Sequence, residues 1–445
     1  MHDKKSILLQ NGYVVTMDAQ QRILRADILI EDGIIVKIGT IPGNPNYTTI
    51  DCSRLIILPG LIQTHTHLCQ TLFRGQADDL QLLPWLKEKI WPLESGHDAA
   101  TMRISARLGI AEMVKSGTTT IQDMGATRFY DEVFDEARMS GIRLCGGKCM
   151  MDLKESVPQF LLEDTKSSLR ETERLIATWH GSEKNRLRYS VAPRFAVSCT
   201  PELIRESAAL ARQMDCSLHT HASENRDEIA LIEARTKLSN IHFLQKHGFT
   251  GDDVTLAHCV WLQENEMEVL EQTKTSVAHC PASNLKLASG FAPIVDLLRH
   301  DICVSLGTDG APCNNNHDMF FEMRLAALIH KPRYGADAIT AHDVVKMATI
   351  EGARALNLHD EIGSIEVNKK ADIIGISDTA IHSTPSNDVY SKIVYSMSGH
   401  DVDFNMVDGT FLMQNRELQT MDEAEILASV QPALNKVYAS FQEKL

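Results

Sequence analysis

Two histidines one residue apart, His65 and His67, follow the apolar run Leu55-Ile-Ile-Leu58 and the turn-forming pair Pro59-Gly60. Successive side chains of a strand point to opposite faces, so the two imidazoles share a face and can close on one ion while Thr64 and Thr66 point away. Four more groups of this kind follow: His219-Thr-His221-Ala-Ser-Glu224, Ala257-His258-Cys259, Ala278-His279-Cys280-Pro281 and Gly307-Thr-Asp309-Gly310. Each closes a stretch that reads as a strand, and scattered core histidines have no reason to sit there. Three imidazoles and one carboxylate suit Zn2+ or Fe2+, with water in the remaining position. Bound to such an ion, water ionises near neutral pH and becomes a nucleophile. Glu224 is then placed to shuttle the proton, His258 to orient the water, and Asp309 to ligate the ion while accepting the attacking proton. His219 and His221 share a strand face, so either serves as the ligand. Three roles stay open for His279: ligand, substrate contact or satisfied core imidazole.

The elements that must position these groups are legible in the alternation of the chain. Up to about residue 55 the text is β-rich, with runs at 7–9, 13–16, 26–30 and 34–38 and the turn pairs Asn11-Gly12 and Asp32-Gly33 between runs. From about 60 to 356, eight apolar stretches (61–67, 118–123, 143–150, 188–193, 217–221, 254–259, 276–280 and 302–308) alternate with amphipathic patterns such as 99–115, 165–179, 202–214 and 292–299. Eight β/α repeats predict a closed (β/α)8 barrel, whose active site lies at the C-terminal strand ends. After a helix over 341–356, β-like text returns at 363–367, 371–376, 392–395 and 403–413, before a final helix from Asp422. The expected organisation is a small β-sandwich formed by both termini (1–57 and 359–445) flanking a barrel over 58–358.

Composition excludes several function classes. A net charge of -15 argues against nucleic-acid partners, because phosphate binding needs clustered Lys and Arg. No stretch reaches the roughly 18 apolar residues of a spanning helix. The opening Met1-His-Asp-Lys-Lys-Ser-Ile lacks a secretory apolar segment, so a cytoplasmic location is the default expectation. Ten scattered cysteines without a Cys-x-x-Cys pair point to reduced thiols, and the thiolate zinc signature of some nucleobase deaminases is missing.

The motifs Pro59-Gly-Leu-Ile-Gln-Thr-His-Thr-His67, His221-Ala-Ser-Glu224, Ala257-His-Cys259, His279-Cys-Pro-Ala-Ser-Asn-Leu-Lys-Leu287 and Gly307-Thr-Asp-Gly310 resemble the amidohydrolase superfamily. The resemblance spans nearly the whole chain. Its nearest branch holds the methylthioadenosine, S-adenosylhomocysteine and 5'-deoxyadenosine deaminases, beside guanine deaminases and triazine chlorohydrolases. It implies His65, His67, His221 and Asp309 as metal ligands, favouring His221 over His219, with Glu224 and His258 catalytic. The two-metal members carry a bridging lysine in the fourth strand; 188–193 has none, so a single divalent metal, zinc before iron, is expected. The resemblance also implies homo-oligomers and a small-molecule purine substrate.

Two halves of the chain point to different substrates. Thr71–Asp79, Pro84-Trp85-Leu86, Trp91-Pro-Leu-Glu94 and Asp309–Asn316 resemble the adenosine-type branch, in which the residue matching Glu94 binds ribose hydroxyls. A carboxylate accepting two vicinal hydroxyl protons is sound chemistry. Gly147-Lys-Cys-Met-Met-Asp152 and Ala192-Pro-Arg-Phe195 look more like guanine deaminase. Lys148 stands where adenosylhomocysteine deaminases carry an arginine, Arg194 where they carry a histidine, and their carboxylate-clamping arginine has no secure counterpart. The expectation is deamination of a 6-aminopurine nucleoside with a small 5' group, with Glu94, Lys148, Arg194, Trp85 and His279 as candidate substrate contacts. The alternatives are guanine deamination, triazine dechlorination, and a non-catalytic metallo-barrel that binds purines.

Overall fold

The structure is a computed structural model describing residues 6–385 and 387–442; Met1 to Lys5 of the opening stretch lie outside it. Five strands come first, in one sheet: β1 (Ser6–Val15), β2 (Ile23–Glu31), β3 (Ile34–Gly39), β4 (Thr48–Asp51) and β5 (Leu55–Pro59). A second sheet follows: β6 (Leu61–Thr66), β7 (Thr118–Met124), β8 (Arg143–Gly147), β9 (Cys149–Met150), β10 (Leu187–Pro193), β11 (Ser217–Ala222), β12 (Val254–His258), β13 (Ser276–His279) and β14 (Val304–Leu306). The chain then returns to the first sheet as β15 (Ile373–Ser377), β16 (Val402–Val407), β17 (Thr410–Gln414) and β18 (Glu417–Leu418).

All eight expected barrel strands form, and they run parallel. The cylinder closes between its last and first strands at the candidate site itself. Thr66 bridges Asp309, whose backbone N–H donates to the His65 carbonyl at 3.1 Å. Glycine is required at this seam, because a Cβ on Gly307 would lie 2.7 Å from the His65 carbonyl oxygen. Both faces of the barrel strands are covered, which is why they read as continuous apolar runs. Helices Ala99–Lys115, Thr165–Trp179 and Pro201–Gln213 cover the outside, started by the N-caps Asp98, Asp164 and Thr200.

The first sheet has the order β18-β17-β16-β15-β5-β1-β2-β3, with β4 beside β1. The two termini meet where β5 runs antiparallel to β15. The sheet folds over its own core of Ile7, Leu9, Ile28, Ile57, Ile373 and Phe404. Its ends come together at two turns, Asp32-Gly33 and Asp408-Gly409, where a Cβ on Gly33 would lie 2.6 Å from the Asp408 carbonyl oxygen. Arg143 at the start of β8 ties barrel to sheet. Its guanidinium bonds both oxygens of Asp372, at 2.9 and 3.0 Å, and Asp408 at 2.6 Å, all with the arginine fully buried. Removing one partner of a buried pair leaves an uncompensated charge, so Arg143→Met is expected to cost about 3–5 kcal/mol. A fall in Tm by thermal scanning calorimetry checks it; an unchanged Tm refutes it.

Several expectations are corrected. Asn11-Gly12 is no hairpin turn but a bulge inside the single strand β1, with the register shifting between Leu9 and Gly12; Asp32-Gly33 is the true turn. The stretch 363–367 forms no strand, and Lys392–Ser396 is a π-helical turn. The helix over 341–356 is two helices, Ala341–Met347 and Ile350–Ala355, broken at Thr349 (φ -130°, ψ -95°), whose hydroxyl bonds back to the Val345 carbonyl. The third barrel strand is interrupted between β8 and β9 without a change of register, because the Lys148 N–H turns to the Tyr189 hydroxyl.

The long connection after β6 roofs the barrel mouth with short helical turns, among them Leu68–Phe73, Leu82–Trp85 and Trp91–Ser95. The final helix, Glu423–Gln442, buttresses it from outside, packing Ala433 and Val437 on Leu72, Phe73 and Leu93.

Candidate metal and catalytic site

His65 and His67 end β6, His221 ends β11, His258 ends β12, and Asp309 follows β14. These five side chains meet at one point. Ligand atoms of His65, His67 and Asp309 lie within 4.8 Å of one another, and so do those of His65, His221 and His258. All five are buried.

Hydrogen-bond partners fix each imidazole in one tautomer. The Nδ1 of His67 faces the Met124 carbonyl at 2.7 Å, and that of His221 faces the Arg194 carbonyl at 2.6 Å. Both Nδ1 atoms therefore carry the proton, and both Nε2 atoms present lone pairs. Those Nε2 atoms lie 3.2 Å apart. Two facing lone pairs repel unless a cation sits against them. His219 Nδ1 donates to the Thr255 carbonyl at 2.9 Å, so its Nε2 accepts from His65 Nδ1 at 2.8 Å. That leaves His65 Nε2 without a partner and directed at the same point, 3.4 Å from Asp309 Oδ1. The donor set thus fits a divalent cation. His219 lies one layer deeper and hydrogen-bonds His65, while His221 faces the centre.

Electrostatics agree with this division. Burial pushes His65 and His221 well below the ordinary imidazole range, keeping them neutral as ligands must be. Burial opposes ionisation of Asp309, yet hydrogen bonding and the nearby imidazoles hold it well below the usual carboxylate range. Its Oδ2 accepts from the Ser283 hydroxyl at 2.6 Å and its Oδ1 from the Gly310 N–H at 2.7 Å.

Glu224 and His258 stand beside this centre. His258 Nδ1 bonds Asn284 Oδ1 at 2.9 Å, aiming Nε2 between Glu224 Oε2 (3.6 Å) and Asp309 Oδ2 (3.8 Å). Burial alone would lower His258, but the two carboxylates outweigh it and raise it. Burial raises Glu224 to about 7, where a carboxyl both takes and gives protons readily.

A small cavity opens over the centre, lined by His67, His221, Glu224, His258 and Asp309 on one side. Leu82, Trp85, Leu86, Phe195, Leu287 and Arg194 complete it. Trp85 therefore stands where a substrate contact was expected. Glu94 does not line the space: its carboxylate is clasped by Arg194 and Gln70 behind the wall. Lys148 does not reach it either, because its ammonium bonds Glu163 at 2.8 and 3.0 Å and Ser168 at 3.0 Å. His279 is fully buried away from the cavity and packs against His330, ring centroids 5.6 Å apart. Neither of these two is brought to the site.

The sequence reading missed Asp123. Its Oδ1 accepts the Leu68 N–H at 2.6 Å, directly after His67, and its Oδ2 accepts the Tyr130 hydroxyl at 2.7 Å. A carboxylate ending a barrel strand was the available signal. Asp123→Ala is expected to weaken metal affinity about 10- to 100-fold by releasing the backbone that carries His67. Competition with a chelating dye measures it.

The amidohydrolase family model matches residues 56–412. The chain belongs to this family. Among curated members, 5'-deoxyadenosine deaminase of Methanosarcina mazei is 38% identical over 97% of this chain and 98% of its own. The 5-methylthioadenosine/S-adenosylhomocysteine deaminase of Moorella thermoacetica is 39% identical over 87% and 89%. A crystal structure of an adenosine deaminase from Xanthomonas campestris with bound zinc superposes with a TM-score of 0.92 at 30% identity, covering 98% of this chain and 99% of that one. Members of the family bind a divalent metal, and the cluster of buried imidazoles and Asp309 fits one. No helix of the described residues is long and apolar enough to cross a membrane.

Proposed function

We propose that the chain is a zinc-dependent aminohydrolase that converts a 6-aminopurine nucleoside with a small, uncharged 5' group, such as 5'-deoxyadenosine or methylthioadenosine, to the inosine analogue and ammonia. The barrel over 58–358 carries the chemistry, and strands of the described residues on either side of it, 6–57 and 373–418, form its β-rich companion, with the final helix Glu423–Gln442 packed on the barrel roof. The observation that carries this reading is the buried Glu224–His258–Asp309 cluster, poised beside three imidazoles whose lone pairs converge. His65, His67, His221 and Asp309 would hold the ion, which would supply the acidity to ionise water near neutral pH. Asp309 and His258 orient the attacking water over C6 of the purine. Glu224 takes one proton of the water and delivers it to the ring nitrogen; the proton left on the new C6 hydroxyl passes by way of Asp309 to the amino group, the C6–N bond breaks, and ammonia leaves as C6 becomes a carbonyl.

The 5' preference rests on charge. Among the described residues Arg194 is the only Lys or Arg lining the cavity, and Glu94 neutralises it. An amino-acid carboxylate or a phosphate entering there finds no free counter-charge, whereas the apolar roof of Leu82, Trp85, Leu86 and Leu287 suits a methyl or methylthio group. The Arg194 guanidinium in the wall favours one second reading, guanine deamination, because it can donate to a ring carbonyl.

Ammonia release across 5'-deoxyadenosine, methylthioadenosine, adenosine, adenosylhomocysteine, guanine and a chlorotriazine separates these readings. The highest kcat/KM is expected for the first two, with adenosylhomocysteine well below them. Turnover of guanine alone would falsify the nucleoside reading, and chloride release would point to dechlorination.

A further inference from the structure

The segment 281–290, which leaves the end of β13, makes one side-chain hydrogen bond to each of three groups on different strand ends. Its short helix Pro281–Lys286 carries two of them. The Ser283 hydroxyl donates to Asp309 Oδ2 at 2.6 Å, and Asn284 Oδ1 faces His258 Nδ1 at 2.9 Å. Past the helix, the Ser289 hydroxyl donates to Glu224 Oε1 at 3.2 Å. The segment also closes on itself, because the Asn284 carbonyl accepts the N–H of Ser289 at 2.8 Å and that of Gly290 at 3.3 Å. A shift of this one piece therefore disturbs all three contacts together.

Two side chains that do not line the cavity hold the piece in place. Glu322, fully buried on the helix Met319–Ile329, accepts the Ala282 N–H at 3.2 Å on Oε2 and the Asn314 amide at 2.8 Å on Oε1. The same amide donates to the Thr308 carbonyl at 2.7 Å, one residue before Asp309, so a single carboxyl group ties the segment to the strand end that carries Asp309. Burial and the acidic neighbours Asp309 and Asp318 all oppose its ionisation. A buried carboxyl without a counter-charge costs stability, which leaves its grip on two loops to account for it. At the other end, the Trp261 indole N–H donates to the Ser289 carbonyl at 2.7 Å. Its ring lies so close to Gly290 that a Cβ there would come within 2.9 Å of Cζ2.

We propose that 281–290 is a cradle that aligns Asp309, His258 and Glu224 for proton transfer, and that Glu322 and Trp261 are positioning residues acting through it. The proposal rests on the reading of those three groups as the catalytic ones, and not on which purine is the substrate. Misplacing reacting groups by about 1 Å from a distant site can cost about 100-fold in rate, so a second layer of this kind acts on kcat. Substrate binding, which uses other walls of the cavity, is left nearly as it was.

Steady-state kinetics of Glu322→Gln and Trp261→Phe at saturating Zn2+ test this, on whichever compound of the ammonia-release series is turned over fastest, with metal content and Tm of each preparation. Glutamine keeps one acceptor and turns a donor towards either the Ala282 N–H or the Asn314 amide. Glu322→Gln is expected to lower kcat about 10- to 100-fold, with KM within about threefold of wild type and the metal retained. Trp261→Phe deletes only the bond to Ser289 and is expected to lower kcat about three- to tenfold. A merely structural role predicts a lower Tm with wild-type kcat per metal-loaded site, the behaviour expected of Arg143→Met at the opposite end of the barrel. The route is read on a Ser283→Ala/Asn284→Ala background, where adding Glu322→Gln is expected to change kcat by less than about threefold.

Wild-type kcat in metal-loaded Glu322→Gln overturns the proposal, and so does a further tenfold loss on the Ser283→Ala/Asn284→Ala background, which sends the effect of Glu322 by another route. Should Glu322→Gln fail to fold, Trp261→Phe decides, and wild-type kcat there has the same force. If no compound of the series is turned over, the aminohydrolase reading fails and the cradle with it. Turnover that neither substitution slows sinks the cradle alone.

Discussion

Glu224→Gln is expected to lower kcat by about 10^2- to 10^4-fold while the enzyme retains its metal. The substitution keeps the side-chain shape and leaves an oxygen able to accept from the Ser289 hydroxyl, which lies 3.2 Å from Oε1. It removes the capacity to take a proton on one side of the reaction and return it on the other. The backbone is held independently, because the Glu224 N–H donates to Glu228 at 2.8 Å, so structural collapse is not expected. Burial raises Glu224 to about 7, so its carboxylate form is present above that pH and is lost as pH falls. Wild-type kcat/KM should accordingly fall about tenfold per unit below neutrality. Steady-state rates over pH 5–9 with elemental analysis of each preparation check both statements. A variant that turns over normally would remove Glu224 from the mechanism.

Removal of the metal is expected to abolish turnover and to lower thermal stability. His67 and His221 present lone pairs to each other at 3.2 Å, and His65 Nε2 is buried without a partner among the described residues, so the emptied centre leaves those lone pairs facing one another. An ion at 100 times its dissociation constant stabilises the folded state by about 2.7 kcal/mol through binding alone. Dialysis against a chelator should thus abolish activity and lower Tm, and added Zn2+ should restore both. His67→Ala should lose metal and turnover together and be insensitive to added Zn2+. Full activity of a chelated preparation shown by elemental analysis to hold no metal would remove the basis of the mechanism.

Much of this site was legible before any coordinates. His65 and His67 at strand spacing, and His221, His258 and Asp309 at the ends of later apolar runs, mark strand ends, and the parallel barrel brings strand ends together. Strand alternation alone did not separate His219 from His221, since it gives both the same face; the family resemblance favoured His221. They differ in depth, and the Thr255 carbonyl behind His219 decides it. Lys148 and His279 were misplaced for a related reason. A motif position says that a side chain lies near a strand end but not which way it turns, and Glu163 and His330 draw these two elsewhere. Asn11-Gly12 carries the composition of a hairpin turn, yet flanking residues of β1 pair continuously with β2 and absorb it as a bulge.

The sequence by itself determined the barrel and the residue types gathered at its strand ends, because apolar periodicity and residue chemistry are local properties written in order along the chain. Only the tertiary structure decided which histidine faces the centre and that Glu94 stands behind Arg194, residues 100 positions apart joined at 2.8 Å. Such a pairing depends on where two strand-end loops fold over the barrel mouth, and no spacing within either loop encodes the distance between them.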